Sequence, residues 1–339
     1  MLERNGPNLR AQPPPAAMPT RHATTLPSCG PWSPPPAAAV ASTSDDRIDV
    51  AFYDTRKNAN VNGMIRAAAL VNSSRVRFHA LLSYPRPVPG MRVAPLAVQG
   101  PAACLYRNLC RQAHGPGRQY LYKPLLHWVL AADVRRVIVL DTDVVVLRDI
   151  AELWAEFSRF GDAMIGVANE QSNLYSGDAI GKNGGVQLLD LAKMRASKRY
   201  AEALDRYASG AAGKYIGYLG DQTLYSYMAV SHADLMHRLP CEWNRQLSMQ
   251  FGFRNATVHE CPRRCGLLHA NFGPLKCVAA AMQADPSCET WRRLRNGHQP
   301  SALERASSTG QRVPRCSIGA RQDAFRRATA RFFADCCRG

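Results

Sequence analysis

Hydrophobic positions along the chain fall into short β-type runs separated by stretches of helical spacing. Residues 48–53 (IDVAFY) alternate apolar and polar side chains and end at the polar stretch Asp54-Thr55-Arg56-Lys57-Asn58, as a strand running into a loop does. Residues 61–71 follow with helical spacing, and 76–82 return to strand character. This strand, helix, strand order predicts an α/β sheet with right-handed crossovers. Residues 83–118 are rich in Pro and Gly and carry no assignable period. Beyond them 121–130 reads as a helix, and 137–140 (VIVL) as a short, wholly apolar strand of the buried type. Strand character resumes at 144–147, and 149–157 (DIAELWAEF) reads as a capped amphipathic helix. Residues 164–167 and 186–189 are further strands, with helices over about 190–207, 220–230 and 322–333.

Length and composition set the frame for these elements. A chain of 339 residues, 46% hydrophobic and 20% charged, can bury one large core or two small ones. There is no internal repeat and no run near the roughly 18 apolar residues of a membrane span. Residues 1–45 are low in complexity, with proline runs at 13–15 and 34–36, and read as a disordered tail or stalk. They lack the roughly 7–15-residue apolar centre of a secretory signal. An ordered domain is expected over 46–295, followed by a basic, cysteine-containing extension over 296–339.

The net charge of +17 raises the question of a polyanionic partner. Lysine stands at only seven positions, however, and an excess of arginine and alanine is what a GC-rich coding sequence produces by itself. No nucleic-acid-binding module is recognisable, and aromatic residues are not interleaved with the basic ones, so nucleic acid is not an expected partner. Eleven cysteines, eight of them from Cys241 onward, permit disulfides in an oxidising compartment, although buried thiols and a zinc site are alternatives. The spacings Cys261-x3-Cys265 and Cys277-x10-Cys288 fit a zinc ribbon poorly.

Four local patterns carry candidate chemistry. Asp141-Thr142-Asp143 closes the buried strand 137–140, in the crevice where α/β sheets bind ligands. Two hard oxygen ligands so placed can hold a divalent cation and leave positions for phosphate oxygens; the structural alternative is a turn that caps the next element. Leu268-His269-Ala270-Asn271-Phe272-Gly273-Pro274-Leu275-Lys276 could bring an imidazole and an ammonium to one phosphate group, or hold a hydrogen-bonded structural histidine. Asn183-Gly184-Gly185 precedes the strand 186–189, and paired glycines let a ligand approach the backbone or simply make a turn. Gly220-Asp221-Gln222 opens a helix, where an acid or amide faces a pocket or caps the helix.

The run VIVLDTDVVVLRDIAELWAEF, then NGGVQLLDL, GDQTL, LPCEWN and LLHANFGPLK, occurs in an order and at distances that resemble glycosyltransferase family 8, and within it the xylosyltransferase branch. The resemblance covers about residues 47–295. It implies an α/β fold of GT-A type, a single domain with a central, mostly parallel mixed sheet flanked by helices. It also implies a retaining transferase that moves a sugar, xylose above others, from a UDP-sugar to a glycan or glycoprotein acceptor in the Golgi lumen. By position, Asp141, Asp143 and His269 would bind Mn²⁺, and Lys276 would neutralise the leaving diphosphate. Thr142, Lys123 and Gly273 would belong to the donor site, Asn183, Gly184 and Gly185 would line the sugar pocket, and Asp221 and Gln222 would position the donor near its anomeric carbon. Here Gly273 lies four residues after His269 and Lys276 seven, against three and six in the common family pattern.

Two other classes compete for the same residues. An apolar strand ending in Asp141-Thr142-Asp143-Val144-Val145 also fits the nucleophile motif of haloacid dehalogenase-type phosphatases, with Asp141 as nucleophile. Such an enzyme needs a further acidic pair at a later strand end, and Gly220-Asp221 lacks the second aspartate. A catalytically inactive relative that only binds glycans is the third reading.

Overall fold

The computed structural model describes residues 47–54, 61, 64, 68, 71, 75–96, 98–108, 118–170, 181–212, 220–246 and 266–269. The expected head, the extension and the helix over 322–333 lie outside the described residues.

A seven-stranded sheet forms the centre, built from β1 (Ile48–Asp54), β2 (Val76–Leu82), β3 (Arg92–Pro95), β4 (Val137–Leu140), β6 (Ile165–Asn169), β7 (Lys182–Leu189) and β8 (Met236–Leu239) in the order β3-β2-β1-β4-β7-β6-β8. All neighbouring pairs are parallel except β4–β7 and β7–β6, so among the described strands β7 alone runs against the others. The start of β7 therefore lies beside the end of β4. A second, three-stranded sheet, β5 (Val144–Val146), β10 (Leu267–His269) and β9 (Arg245–Gln246), extends from the end of β4.

Strand side chains alternate between two apolar layers. Ile48, Val50 and Phe52 of β1 join Ile138 and Leu140 of β4 on one face, where Val144, Trp243, Leu268 and, from the helix α3 (Ile150–Trp154), Ile150 and Leu153 also pack. Ala51, Tyr53, Val137 and Val139 face the other layer, which holds the helices α1 (Gln99–Asn108), α2 (Leu126–Val129), α4 (Leu191–Ala196), α5 (Lys198–Ser209) and α6 (Asp221–Ser231). Burial on both faces explains why 137–140 is apolar without alternation. Val61, Met64 and Ala68 are helical, and the last two are buried, as the spacing over 61–71 predicts.

Three of the differences from the sequence reading have a local reason. Residues expected as one helix over 121–130 form a 3₁₀ segment, Arg118–Leu125, and then α2; Pro124 has no N–H to continue an α-helical ladder. The helix expected over 190–207 is two helices, because Ser197 leaves helical geometry and its hydroxyl accepts from Tyr200 N–H at 3.1 Å, capping α5. The stretch 83–118 contains β3 and α1, whose short runs carry too few residues to reveal a period.

Candidate active site

The site assembles where β4 ends, β7 begins and the small sheet starts. Asp141 leaves β4 with its backbone N–H donating to Gly185 O at 2.9 Å, which ties the aspartate turn to the paired glycines. Thr142 sits half-buried between the two carboxylates. Directly after Asp143, Val144 pairs with His269 across the antiparallel β5–β10 ladder. That register carries the imidazole back to the aspartates, so the ligand atoms of Asp141, Asp143 and His269 lie within 4.8 Å of one another. His269 Nε2 stands 3.6 Å from Asp143 Oδ1 and 3.9 Å from Asp141 Oδ2.

These three residues fit one divalent cation. Ligands at coordination distances of about 2.0–2.6 Å lie roughly 3–5 Å apart, and two carboxylates with one imidazole suit a cation of the manganese type. His269 is buried while the aspartates are partly open, so the ligand cluster has a protein side and an open side.

Lys123 organises the opposite flank. It is fully buried, and its ammonium donates to Asp141 Oδ1 and to Gly184 O, both at 2.8 Å, and pairs with Asp221 Oδ2 at 3.6 Å. Burial works against its charge, but the attraction of Asp141 and then Asp221 outweighs it, and the pKa rises. One oxygen of Asp141 is thus occupied by the lysine, and the other faces His269. Tyr53, at the end of β1, lies 5.5 Å below the ammonium by its ring centroid.

Asp221 enters the site from the first turn of α6. Gly220, at φ 62°, takes the left-handed conformation that lets the chain turn sharply into the helix. Asp221 Oδ2 accepts from Gln187 Nε2 at 2.6 Å, and Gln187 Oε1 accepts from Tyr225 OH at 3.0 Å. Burial pushes the Asp221 carboxyl up to about 6 against the opposing pull of Lys123. Asp221 Oδ1 and Gln222 Oε1 are buried and have no hydrogen-bond partner among the described residues. Buried acceptors without partners at the rim of a cleft are places where a ligand hydroxyl fits.

The paired glycines have a steric role. A Cβ on Gly185 would fall inside the imidazole of His269, and one on Gly184 would collide with Asp221 Oδ2. Between Val167 and Ala168 the β6–β7 register shifts by three residues, the extra residues of β7 being Gly184, Gly185 and Val186. This bulge carries the glycines toward the site. Asn183 uses its side chain inward, donating to Glu170 Oε2 at 2.9 Å and accepting from Gly185 N–H at 3.1 Å.

The structure therefore brings together Lys123, Asp141, Asp143, Asn183, Gly184, Gly185, Asp221 and His269, with Thr142 between the two aspartates in sequence and Gln222 next to Asp221 in α6. Gly273 and Lys276 lie outside the described residues. Sequence reasoning did not single out Gln187, Glu170, Tyr53 or Asn244 as site residues. Their signals lay in the surrounding blocks, and nothing in their own spacing separates them from core residues.

No protein-family model matches the chain. The human xylosyl- and glucuronyltransferase LARGE2 is 32% identical over 256 residues, covering 65% of this chain and 33% of that protein. Mouse xyloside xylosyltransferase 1 is 34% identical over 146 residues, covering 36% of this chain and 37% of that protein. The crystal structure of the mouse xyloside xylosyltransferase 1 superposes with a TM-score of 0.54 at 22% identity, over 66% of this chain and 98% of that one. These relatives are glycosyltransferases of family 8, and the chain shares their GT-A fold. The galactosyltransferase LgtC, in complex with donor and acceptor sugar analogues, shares the fold at a TM-score of 0.50 and 16% identity, over 78% of this chain and 98% of that one. The expected GT-A architecture, a mostly parallel mixed sheet flanked by helices, is the one observed. The phosphatase alternative has no support, since relatives and fold are those of glycosyltransferases. The chain spans about a third of the length of these two curated relatives.

Proposed function

We propose that the chain is a metal-dependent, retaining glycosyltransferase that moves a sugar from a UDP-sugar to a glycan or glycoprotein acceptor. The observation that carries the reading is the convergence of Asp141, Asp143 and His269 within 4.8 Å at the open end of β4. Mn²⁺ is the proposed cation, and xylose is the proposed sugar, because the matched relatives include proteins named as xylosyltransferases. Bound there, the cation supplies Lewis-acid stabilisation to the departing diphosphate.

The chain's own residues do the remaining work. Lys123 holds Asp141 and Asp221 in place and offsets their negative charge, so the cleft can accept an anionic donor. The unpartnered oxygens of Asp221 and Gln222 accept hydrogen bonds from sugar hydroxyls and orient the anomeric carbon. Asn183 and the two glycines set the floor of the sugar pocket, and Thr142 shapes its metal edge. Gly273 and Lys276, outside the described residues, are assigned to the diphosphate on the sequence pattern alone. The Golgi lumen is the proposed location; Cys104 and Cys241 are each disulfide-bonded, which suits an oxidising compartment. No helix among the described residues is long and apolar enough to cross a membrane. The catalytic unit is taken as 46–295, with 1–45 and 296–339 as flanking segments.

A thermal-shift screen of UDP-xylose, UDP-glucose, UDP-galactose and UDP-glucuronate with Mn²⁺ tests the donor. UDP-xylose is expected to raise the melting temperature most. If no UDP-sugar exceeds UDP itself, the xylosyl assignment fails.

A further inference from the structure

Behind His269 lies a chain of buried amides that the proposed reaction does not use directly. Asn244 is fully buried, and its Nδ2 stands 2.9 Å from Asn183 Oδ1 and 3.4 Å from Asn183 O. Its Oδ1 stands 3.1 Å from His269 Nδ1. Asn183 in turn meets Gly185 N–H at 3.1 Å and Glu170 Oε2 at 2.9 Å.

The direction of every bond in this chain follows from one group that can only donate. The Gly185 backbone amide has a proton and no lone pair to offer, so the Asn183 atom facing it is the carbonyl oxygen. The Asn183 amide nitrogen then faces the Glu170 carboxylate, which accepts. Flipping Asn183 would set N–H against N–H at one end and oxygen against carboxylate at the other. With Asn183 fixed, two oxygens face one side of the Asn244 amide, so its Nδ2 belongs there and its Oδ1 is left toward the imidazole. An oxygen facing Nδ1 requires the proton on Nδ1. Nε2 then carries the lone pair, and Nε2 is the atom aimed at Asp141 and Asp143.

We infer that Asn244 is a positioning residue that locks His269 in the Nδ1–H tautomer, through a relay running from Gly185 N–H to Asn183, Asn244 and His269. The inference rests on the reading of Asp141, Asp143 and His269 as a metal site, where a ligating imidazole gains basicity and orientation from the partner of its other nitrogen. The fold supplies the rigidity the relay needs. Asn244 ends the 3₁₀ turn Cys241–Asn244, and Gly266, directly before β10, leaves no room for a Cβ against the ring of Trp243 in that turn. Gly266 N–H donates to Glu242 O at 2.9 Å, and His269 pairs in register with Gln246. Turn and strand are therefore held as one piece, with the amide and the imidazole on adjoining parts of it.

The test uses the full chain labelled with ¹⁵N, metal-free, at about pH 8.5, well above the ordinary histidine pKa of about 6.5. Long-range ¹H–¹⁵N correlation reads the tautomer of each imidazole, and the His269 signals are those missing in His269→Gln. A solvated neutral imidazole favours the proton on Nε2, so the expected Nδ1–H pattern is distinctive. A wild-type Nε2–H pattern overturns the relay, and it does so without any variant having to fold. Asn244→Leu, of the same branched shape but without an acceptor, is expected to release the tautomer and weaken Mn²⁺ binding, read by electron paramagnetic resonance, about 10–100-fold. Asn244→Asp keeps the acceptor and is expected to retain the Nδ1–H pattern. Unchanged Mn²⁺ affinity in Asn244→Leu also overturns the inference. A wild-type chain that shows the Nδ1–H pattern but binds no Mn²⁺ sinks the metal reading instead, so the two failures are distinguishable.

Discussion

Adding one methyl group at Gly185 places it inside the imidazole of His269, where Nε2 would lie 2.5 Å from the new carbon and two further ring atoms closer still. The nearest ring atom, Cε1, would lie at 2.0 Å, and ordinary contact begins near 3.5 Å, so the ring or the strand must move by about 1.5 Å. The strand is the harder of the two to move. Gly185 O accepts from Asp141 N–H at 2.9 Å, Gly185 N–H donates to Asn183, and β7 lies between β4 and β6 within the sheet. The imidazole therefore yields, and a displacement of about 1.5 Å far exceeds the roughly 0.2 Å tolerance of a metal–ligand distance. Gly185→Ala is expected to cost about 1–3 kcal/mol of stability through overpacking. Its Mn²⁺ affinity should fall by at least the roughly 10–100-fold that disturbing a ligand's support brings. Gly166→Ala is the matched control, because its Cβ would meet Phe160 Cζ at 2.7 Å in the core and touches no site residue. Urea unfolding and Mn²⁺ titration of both variants separate the effects: both lose stability, and only Gly185→Ala loses the metal. Wild-type Mn²⁺ affinity in folded Gly185→Ala would refute the placement of His269 against this glycine.

Two further outcomes follow from buried charges. Lys123→Met leaves Asp141 and Asp221 without their shared cation, and denaturant unfolding should show a loss of about 3 kcal/mol, the low end for breaking a buried pair because Asp141 is partly exposed; a loss below about 1 kcal/mol would show that the lysine does not carry the pair. Burial, and then Arg195, hold the His127 pKa down to about 3, whereas the unfolded chain takes up this proton near 6.5. Stability should accordingly fall as pH drops through that window, by about 2 kcal/mol between pH 6.5 and 5 from this group alone. His127→Phe, which keeps the ring packing against Trp128 and Tyr200, should flatten that limb, and an unchanged slope would contradict the assignment.

The parts of the molecule written in contiguous residues were legible beforehand. The apolar run 137–140 with Asp141 and Asp143 after it and the Asp221 helix start take the places their local patterns suggest, while the paired glycines, expected before the strand 186–189, lie inside β7. What the sequence hid was set by contacts across the fold. Lys123 is matched to the donor site, and its burial between Asp141 and Asp221 could not be read from its neighbours in sequence. Gly184 and Gly185 read as room for a ligand, and they are also room for Asp221 and His269. Asn244 looks like the end of a turn, and its part in the His269 relay depends on Asn183 and Gly185, remote in sequence and joined to it only by the β7 bulge. The reversal of β7 likewise leaves no mark on its own residues, because a buried strand has the same composition in either direction.

The central claim is that Asp141, Asp143 and His269 form a metal site serving a nucleotide-sugar donor, and calorimetric titration of UDP into the full chain tests it most directly. UDP should bind the wild-type chain with Mn²⁺ and lose measurable affinity when the metal is chelated, and Asp143→Ala should remove the metal-dependent binding while keeping the wild-type melting temperature. UDP affinity that is the same with and without Mn²⁺, or unchanged in Asp143→Ala, would contradict the account.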